Sequence, residues 1–294
     1  MGLNNAAVTF LCAAKASGVD FTETVMLGRQ GFYPEPAVLK RGLDALSLAT
    51  PHDLLGKCRY AEPFFRLLGA RNVASLDASA FEGASHVHDL NAPLPDALSE
   101  QFTAVFDGGT LEHVFNYPQA IKSAMQMVRV GGCFLQIAPA NNYMGHGFWQ
   151  ISPELIYRIF SAGNGFRVHL VLLHERDRGW YAVDDPKDTG GRIQLSNKHP
   201  TYILTIAERI GSPEIFAKAP QQSDYVPRWN GVGPHGPLSP GARLRRSVAK
   251  RVNRLFPRPF DRPYFRQLTE AELLSGATTM RRSEAALLTQ SVLP

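Results

Sequence analysis

The apolar positions of this chain change period several times, and each change marks an element. Ala104, Val105 and Phe106 are consecutive apolar residues that stop at Asp107, Gly108 and Gly109. That is the pattern of a short strand buried on both faces, ended by a turn whose missing side chains admit a sharp bend or a close ligand. Ala120, Ile121, Ala124, Met125 and Val128 then recur at helical spacing, and Gly131-Gly132 is expected to end that helix before a strand over 133–138. Upstream, Thr24 to Gly28 read as a first strand, residues 73–77 as a second ending at Asp77, and 85–88 as a short third before Asp89. The separation from Gly28 to Asp77 is long for one crossover, so 33–58 is expected to be an inserted helical or lid element before a helix around 60–68. Downstream, Ser152-Pro153 caps a helix over 154–160, and strands are expected at 166–173 and 201–207. Strands alternating with helices predict an α/β fold. The expected architecture is a Rossmann-like, seven-stranded, mostly parallel sheet with helices on both faces, occupying 1–210 with an N-terminal helix inside 1–20, and a C-terminal extension over 211–294.

In open α/β sheets, ligands lie beyond the carboxyl ends of the strands. Asp77 is expected there, where a carboxylate can accept hydrogen bonds from both hydroxyls of a ribose. Asp89 can read an adenine edge from the end of the third strand, or it can simply build a turn with Asn91 and Pro93. The segment 139–150 is expected to overhang the same crevice as a substrate loop. In it, His146 between two glycines can act as a general base, because imidazole titrates near neutrality. Asn141, Asn142 and Gln150 can hydrogen-bond a polar acceptor, and Phe148 and Trp149 can stack on a sugar or ring. The plainer alternative makes Asn and Gly turn formers and the aromatics core plugs. His86, His88 and His174 follow no coherent ligand spacing, and no metal is expected.

Asp107, the run Leu111-Glu112-His113-Val114, Gly131-Gly132, the strand closing on Asp77 and the His88-Asp89-Leu90 step occur in the order found in one known family. Over roughly residues 21–175 the chain resembles the class I S-adenosylmethionine-dependent methyltransferase domain. The resemblance implies S-adenosylmethionine as cofactor, held by Gly28, Arg29, Asp77, Asp89, Leu90, Asp107, Gly108 and Gly109, with Glu112-His113 near its methionine side. It also implies methyl transfer; the acceptor expected for this chain is a small-molecule or glycan-like one, with His146 of the 139–150 loop as the base. The first loop departs from the family pattern: Gly28 aligns, but Gln30 and Phe32 stand where glycines are usual and Met26 replaces an acid. Arg29 can pair with the cofactor's carboxylate. That departure motivates the alternative function, a non-catalytic binding or assembly module on the same fold.

Composition adds limits. A chain of 294 residues that is 44% hydrophobic can bury one substantial core and keep residues for an appendage. Cys12, Cys58 and Cys133 lie far apart, which argues against a disulfide framework or zinc knuckle and suits a reducing cytoplasm. The apolar run 6–14 is too short to cross a bilayer and lacks a preceding basic residue, so a packing helix is expected there. Charge is segregated. Residues 211–294 hold 13 Lys and Arg against 6 Asp and Glu, leaving 18 basic and 20 acidic for the rest. After a Pro/Gly-rich linker at 231–237, basic residues over 243–256 alternate with Leu244, Val248, Val252 and Leu255 at helical spacing. Such a helix can lie on an anionic membrane or RNA, or dock on its own domain. Aromatic interleaving is sparse, so specific nucleic-acid recognition is not expected.

Overall fold

The computed structural model describes residues 2–51, 54, 58–189, 192–225, 229, 260 and 264–277. The linker and basic helix expected over 231–256 lie outside the described residues. In chain order the elements are β1 (Gly2–Leu3), α1 (Asn5–Ala16), β2 (Glu23–Leu27), β3 (Gly31–Phe32), α2 (Pro36–Ala45), α3 (Glu62–Leu67), β4 (Asn72–Asp77), β5 (His86–Val87) and β6 (Phe102–Asp107). They continue with α4 (Tyr117–Met127), β7 (Val128–Asn141), α5 (Pro153–Ile159), β8 (Phe166–Glu175), β9 (Gly179–Val183), β10 (Thr201–Arg209), β11 (Phe265–Leu268) and α6 (Glu270–Leu274). Among the described residues no helix is long and apolar enough to cross a membrane.

Nine strands make one sheet in the order β11-β9-β8-β10-β7-β6-β2-β4-β5. The five strands from β5 to β7 are parallel, and β10 runs antiparallel to both of its neighbours. Within the parallel part, chain order reads third, second, first, fourth, fifth, the doubly wound arrangement in which order reverses between the first and fourth strands. Here that reversal falls between β2 and β6, where Leu27 faces Asp107.

Side chains alternate across the strands with a period of two, so each strand feeds two cores. Met26, Ala104, Phe106 and Leu135 pack with α1, Phe64 and Phe65 on one face. Val25, Leu27, Val105 and Phe134 pack with α4 and α5 on the other. Burial on both faces is why these strands read as unbroken apolar runs. The apolar run 6–14 is α1, buried nearly all round from Ala6 to Ala14, with Asn4 as its N-cap.

Two expectations need correction. Gly131-Gly132 does not end a helix. The α4 helix stops at Met127, Val128 is already extended, and the glycines lie inside β7. They make a bulge: Phe102 pairs with Val128 but Ala104 pairs with Cys133. Gly131 takes φ +82, and a Cβ on Gly132 would fall 2.8 Å from the Thr103 carbonyl oxygen, so crossing strands rather than capping demand glycine here. The strand count also exceeds seven. A hairpin turning at Asp177 (φ +60) adds β9, and β11 returns from residues 265–268 to pair with it. The α6 helix that follows carries a capping box between Thr269 and Glu272 and packs on α1.

Candidate functional site

The carboxyl ends of β2, β4, β6 and β7 surround the reversal point. Gly28 leaves β2 at φ +67 and donates its N–H to the Leu76 carbonyl at 2.7 Å, tying two strand ends together. One residue beyond Leu76 stands Asp77, half-buried, whose carboxylate accepts only the Ser79 N–H, at 3.3 Å, among the described residues. Its remaining lone pairs are available to a ligand.

The loop after β2 is more closed than an open glycine turn. Gln30 is fully buried; its amide donates to the Leu27 carbonyl at 2.7 Å while its oxygen finds no partner among the described residues. A Cβ on Gly108 would fall 2.7 Å from that oxygen, so the turns after β2 and β6 interlock. Arg29 is held at the rim, with Nε 2.7 Å from Glu62, an Nη donating to the Glu82 carbonyl at 2.7 Å, and the guanidinium 4.0 Å above the Tyr60 ring. The expected Asp89 lies in a turn of its own making. It accepts from the Asn91 backbone and side chain at 2.9 and 2.8 Å, and these bonds hold its carboxyl below the usual range. Leu90 is buried in the core.

At the end of β6, Asp107 is sealed from solvent and spends its carboxylate on structure. One oxygen accepts from the Thr110 and Leu111 amides at 2.8 and 3.3 Å, the other from Gln136 at 2.8 Å. Burial pushes its pKa up, against those bonds. The turn it holds passes through Gly108 and Gly109 (φ +96) into a 3-10 turn, Leu111–His113. Here Glu112 points inward: its side chain is 1% exposed, and neither oxygen has a hydrogen-bond partner among the described residues. Burial and then the nearby charge of Asp107 raise its pKa.

The loop after β7 is clamped at both ends. Asn141 donates to the Asn197 side chain at 2.6 Å, and Asn142, at φ +61, donates to the Asn197 and His199 carbonyls, each at 3.0 Å. Both asparagines therefore anchor the loop. At its far end the Phe148 and Trp149 amides donate to the Glu112 carbonyl at 2.8 and 3.3 Å. Gly147, at φ +68, permits this, since a Cβ there would fall 2.8 Å from that oxygen. The clamp brings His146 Nε2 to 3.3 Å from Glu112 Oε1, with the His113 ring 4.9 Å away. Trp149 donates to the Val114 carbonyl at 3.0 Å, so its ring is tethered beside Tyr117. Phe148 is exposed and meets Phe115 edge-on at 5.8 Å; Gln150 is exposed.

Sequence reasoning missed four contributors. Phe115 carried the signal of an aromatic just past Val114, Gln136 that of a polar residue inside an apolar strand, and Gln30 was noted only as a departure. Asn197 carried no local signal at all. A groove of about 700 Å³ lined by Tyr157, Arg158, Arg167 and Asp185 lies at the start of β8, by the opposite ends of the parallel strands, and Arg158 is already paired with Asp185.

Parallel strands in this order, a reversed strand beside the fifth of them, acids at the ends of the second and fourth strands and helices on both faces give the doubly wound, Rossmann-like arrangement that the resemblance to class I methyltransferases leads one to expect. No family profile matches the sequence, and no curated protein does. Among solved structures, the chain is similar to a putative methyltransferase from Bacillus halodurans, at 10% identity and TM-score 0.40 over 69% of this chain and 99% of that one. It is similar to a putative S-adenosylmethionine-dependent methyltransferase from Listeria monocytogenes, at 13% identity and TM-score 0.38 over 69% and 98%. A branched-chain polyamine synthase from Thermus thermophilus, solved with N4-aminopropylspermidine and 5'-methylthioadenosine, aligns at 16% identity and TM-score 0.36 over 74% of this chain and 60% of that one.

Proposed function

We propose that this chain transfers a methyl group from S-adenosylmethionine to a small-molecule or glycan-like acceptor. The observation that carries the reading is Asp77, a carboxylate at the end of the second strand whose only described hydrogen bond is one long contact from Ser79. The donor set around it fits a nucleoside: Gly28 and Gly109, both at positive φ, bare main chain on either side of the reversal point. Asp77 would hold the ribose hydroxyls, and the turn from Gly108 to Glu112 would border the sulfonium end. When bound, S-adenosylmethionine supplies an electrophilic methyl group.

The chain's own residues do the rest. His146, about half exposed on the clamped loop, is placed to take a proton from an acceptor hydroxyl or amine. Phe148 and Phe115 offer an exposed aromatic corner against which a sugar or ring can be aligned. Asp107 and Gln136 fix the turn that carries Glu112, so the acceptor side is set on rigid strand ends.

One observation favours a second reading, a binding module without catalysis. Gln30 fills the space under Gly108 where an open glycine loop would leave room. Calorimetric titration of the full chain with S-adenosylhomocysteine separates the two. Binding in the micromolar range, lost selectively over a panel of other nucleotides, supports the transferase; silence with every nucleotide supports the module.

A further inference from the structure

We infer that Glu112, His113 and His146 form a binding site for a divalent transition-metal ion of the zinc class. The ligand atoms of the three side chains all lie within 4.8 Å of one another. Glu112 Oε1 stands 3.3 Å from His146 Nε2 and 3.9 Å from His113 Nε2. With metal bonds of about 2.0–2.1 Å in tetrahedral array, neighbouring ligand atoms sit roughly 3.3–3.4 Å apart. One pair already meets that spacing, and with no separation above 4.8 Å the His113 imidazole closes the set by a movement of about 0.5–1.4 Å, within reach of a side chain that is 42% exposed.

A second, independent observation points into the same space. The Glu112 carboxylate is 1% exposed, and among the described residues both its oxygens lack hydrogen-bond partners. A buried carboxylate left this way is costly, and a cation is the partner that offsets it. Nor does any hydrogen bond among the described residues engage either imidazole side chain. The surroundings hold the three in place: the loop amides of Phe148 and Trp149 fix the Glu112 backbone, and Gly109 passes so close that a Cβ would lie 3.1 Å from Oε1.

Two imidazoles and one carboxylate select zinc, cobalt, nickel or iron over magnesium or calcium, which prefer all-oxygen shells. Three protein ligands leave at least one position open, as in catalytic sites. An acceptor hydroxyl occupying it would lose its proton to solvent more readily, which relieves His146 of the base role in the loaded protein. The binding claim rests on the three side chains alone; its part in acceptor activation rests on the methyl-transfer reading.

The test is calorimetric titration of the chelator-stripped full chain with Zn²⁺ and, separately, Mg²⁺, with Co²⁺ uptake followed by visible absorption. Stoichiometric Zn²⁺ uptake, none of Mg²⁺, and a tetrahedral-type Co²⁺ spectrum are expected, with Glu112→Gln and His146→Ala each weakening Zn²⁺ by roughly tenfold or more. Because Glu112 is buried, its variant needs a folding control, whereas His146 is 48% exposed and tests the site without that concern. No uptake by the wild type, or unchanged affinity when His113 and His146 are both replaced by Ala, overturns the site. S-adenosylhomocysteine titration of the same stripped preparation separates the two claims. Nucleoside binding without Zn²⁺ uptake removes the metal site alone, and Zn²⁺ uptake without nucleoside binding upholds it while removing the transferase.

Discussion

Arg209 and Glu112 are both ionisable and both nearly sealed from solvent, at 4% and 1% exposure, yet the protein treats them in opposite ways. At the end of β10, Arg209 donates to the carbonyls of Gln126 and Val128 at 3.1 and 2.6 Å and to Glu100 at 2.7 Å, binding the last turn of α4 to the antiparallel half of the sheet. Around it, Glu208 bridges Arg167 and His169, each at 2.8 Å. Beyond the end of β6, Glu112 is as deeply buried, and among the described residues its carboxylate has no hydrogen-bond partner. Stable proteins seldom leave buried polar groups unpaired unless a site requires it. The antiparallel half therefore uses buried charge as a fastener, while the parallel half leaves the Glu112 carboxylate without a hydrogen bond among the described residues, the position the proposed metal site would fill.

The largest effect expected from this contrast is on stability at Arg209. Arg209→Ala leaves the carbonyls of Gln126 and Val128 without their donor, and should cost about 2–4 kcal/mol in chemical denaturation. A loss below about 1 kcal/mol would mean that the fastener is ornamental. Next comes Asp77→Ala, which should weaken S-adenosylhomocysteine binding by about 1–3 kcal/mol with the melting transition nearly unmoved; calorimetry checks the first part and a thermal scan the second.

How much of this contrast was legible beforehand follows from where each constraint originates. Strands β2 and β6 and the acid Asp107 could be placed because burial on both faces writes itself as local apolar runs closed by polar residues, whereas the half-buried β4 and Asp77 were placed by their order in the family resemblance. The Gly131-Gly132 bulge could not, since what forbids a side chain there is the Thr103 carbonyl of another strand. Trp180 pairs with β8 across a hairpin, and both it and Val183 pair with residues 265–268, which return from far later in the chain. At the site, Glu112-His113 was visible as a motif, but its meaning depends on His146 arriving from a loop docked on the Glu112 carbonyl. Asn141 and Asn142 looked like acceptor contacts because asparagine donates equally well to a ligand or to a distant loop; Asn197, 56 residues beyond Asn141, claims both.

Glu112→Gln gives a smaller and oppositely signed effect. It removes a desolvated carboxylate of raised pKa, so the metal-free protein should gain about 1 kcal/mol near neutral pH. A clear destabilisation of similar size would show that Glu112 is a structural partner after all. The smallest effect belongs to Glu208, about a quarter exposed. Burial raises its pKa, but hydrogen bonds from Arg167 and His169 outweigh that and leave it below the ordinary value. A depressed carboxylate contributes stability above its unfolded pKa, and that contribution is lost as pH falls through the folded one. Glu208→Gln should therefore cost about 0.5–1 kcal/mol at neutral pH and converge with the wild type in acid, by parallel urea titrations.

The central claim is that ligand binds at the reversal point of the sheet and leaves the antiparallel half untouched. Amide-resolved NMR titration of the full chain with S-adenosylhomocysteine tests it most directly. The account predicts shifts concentrated at Gly28, Asp77, Gly109 and the 3-10 turn around Glu112, with β8 to β11 silent. Shifts concentrated along β8 to β11, with Gly28 and Asp77 unmoved, would contradict it.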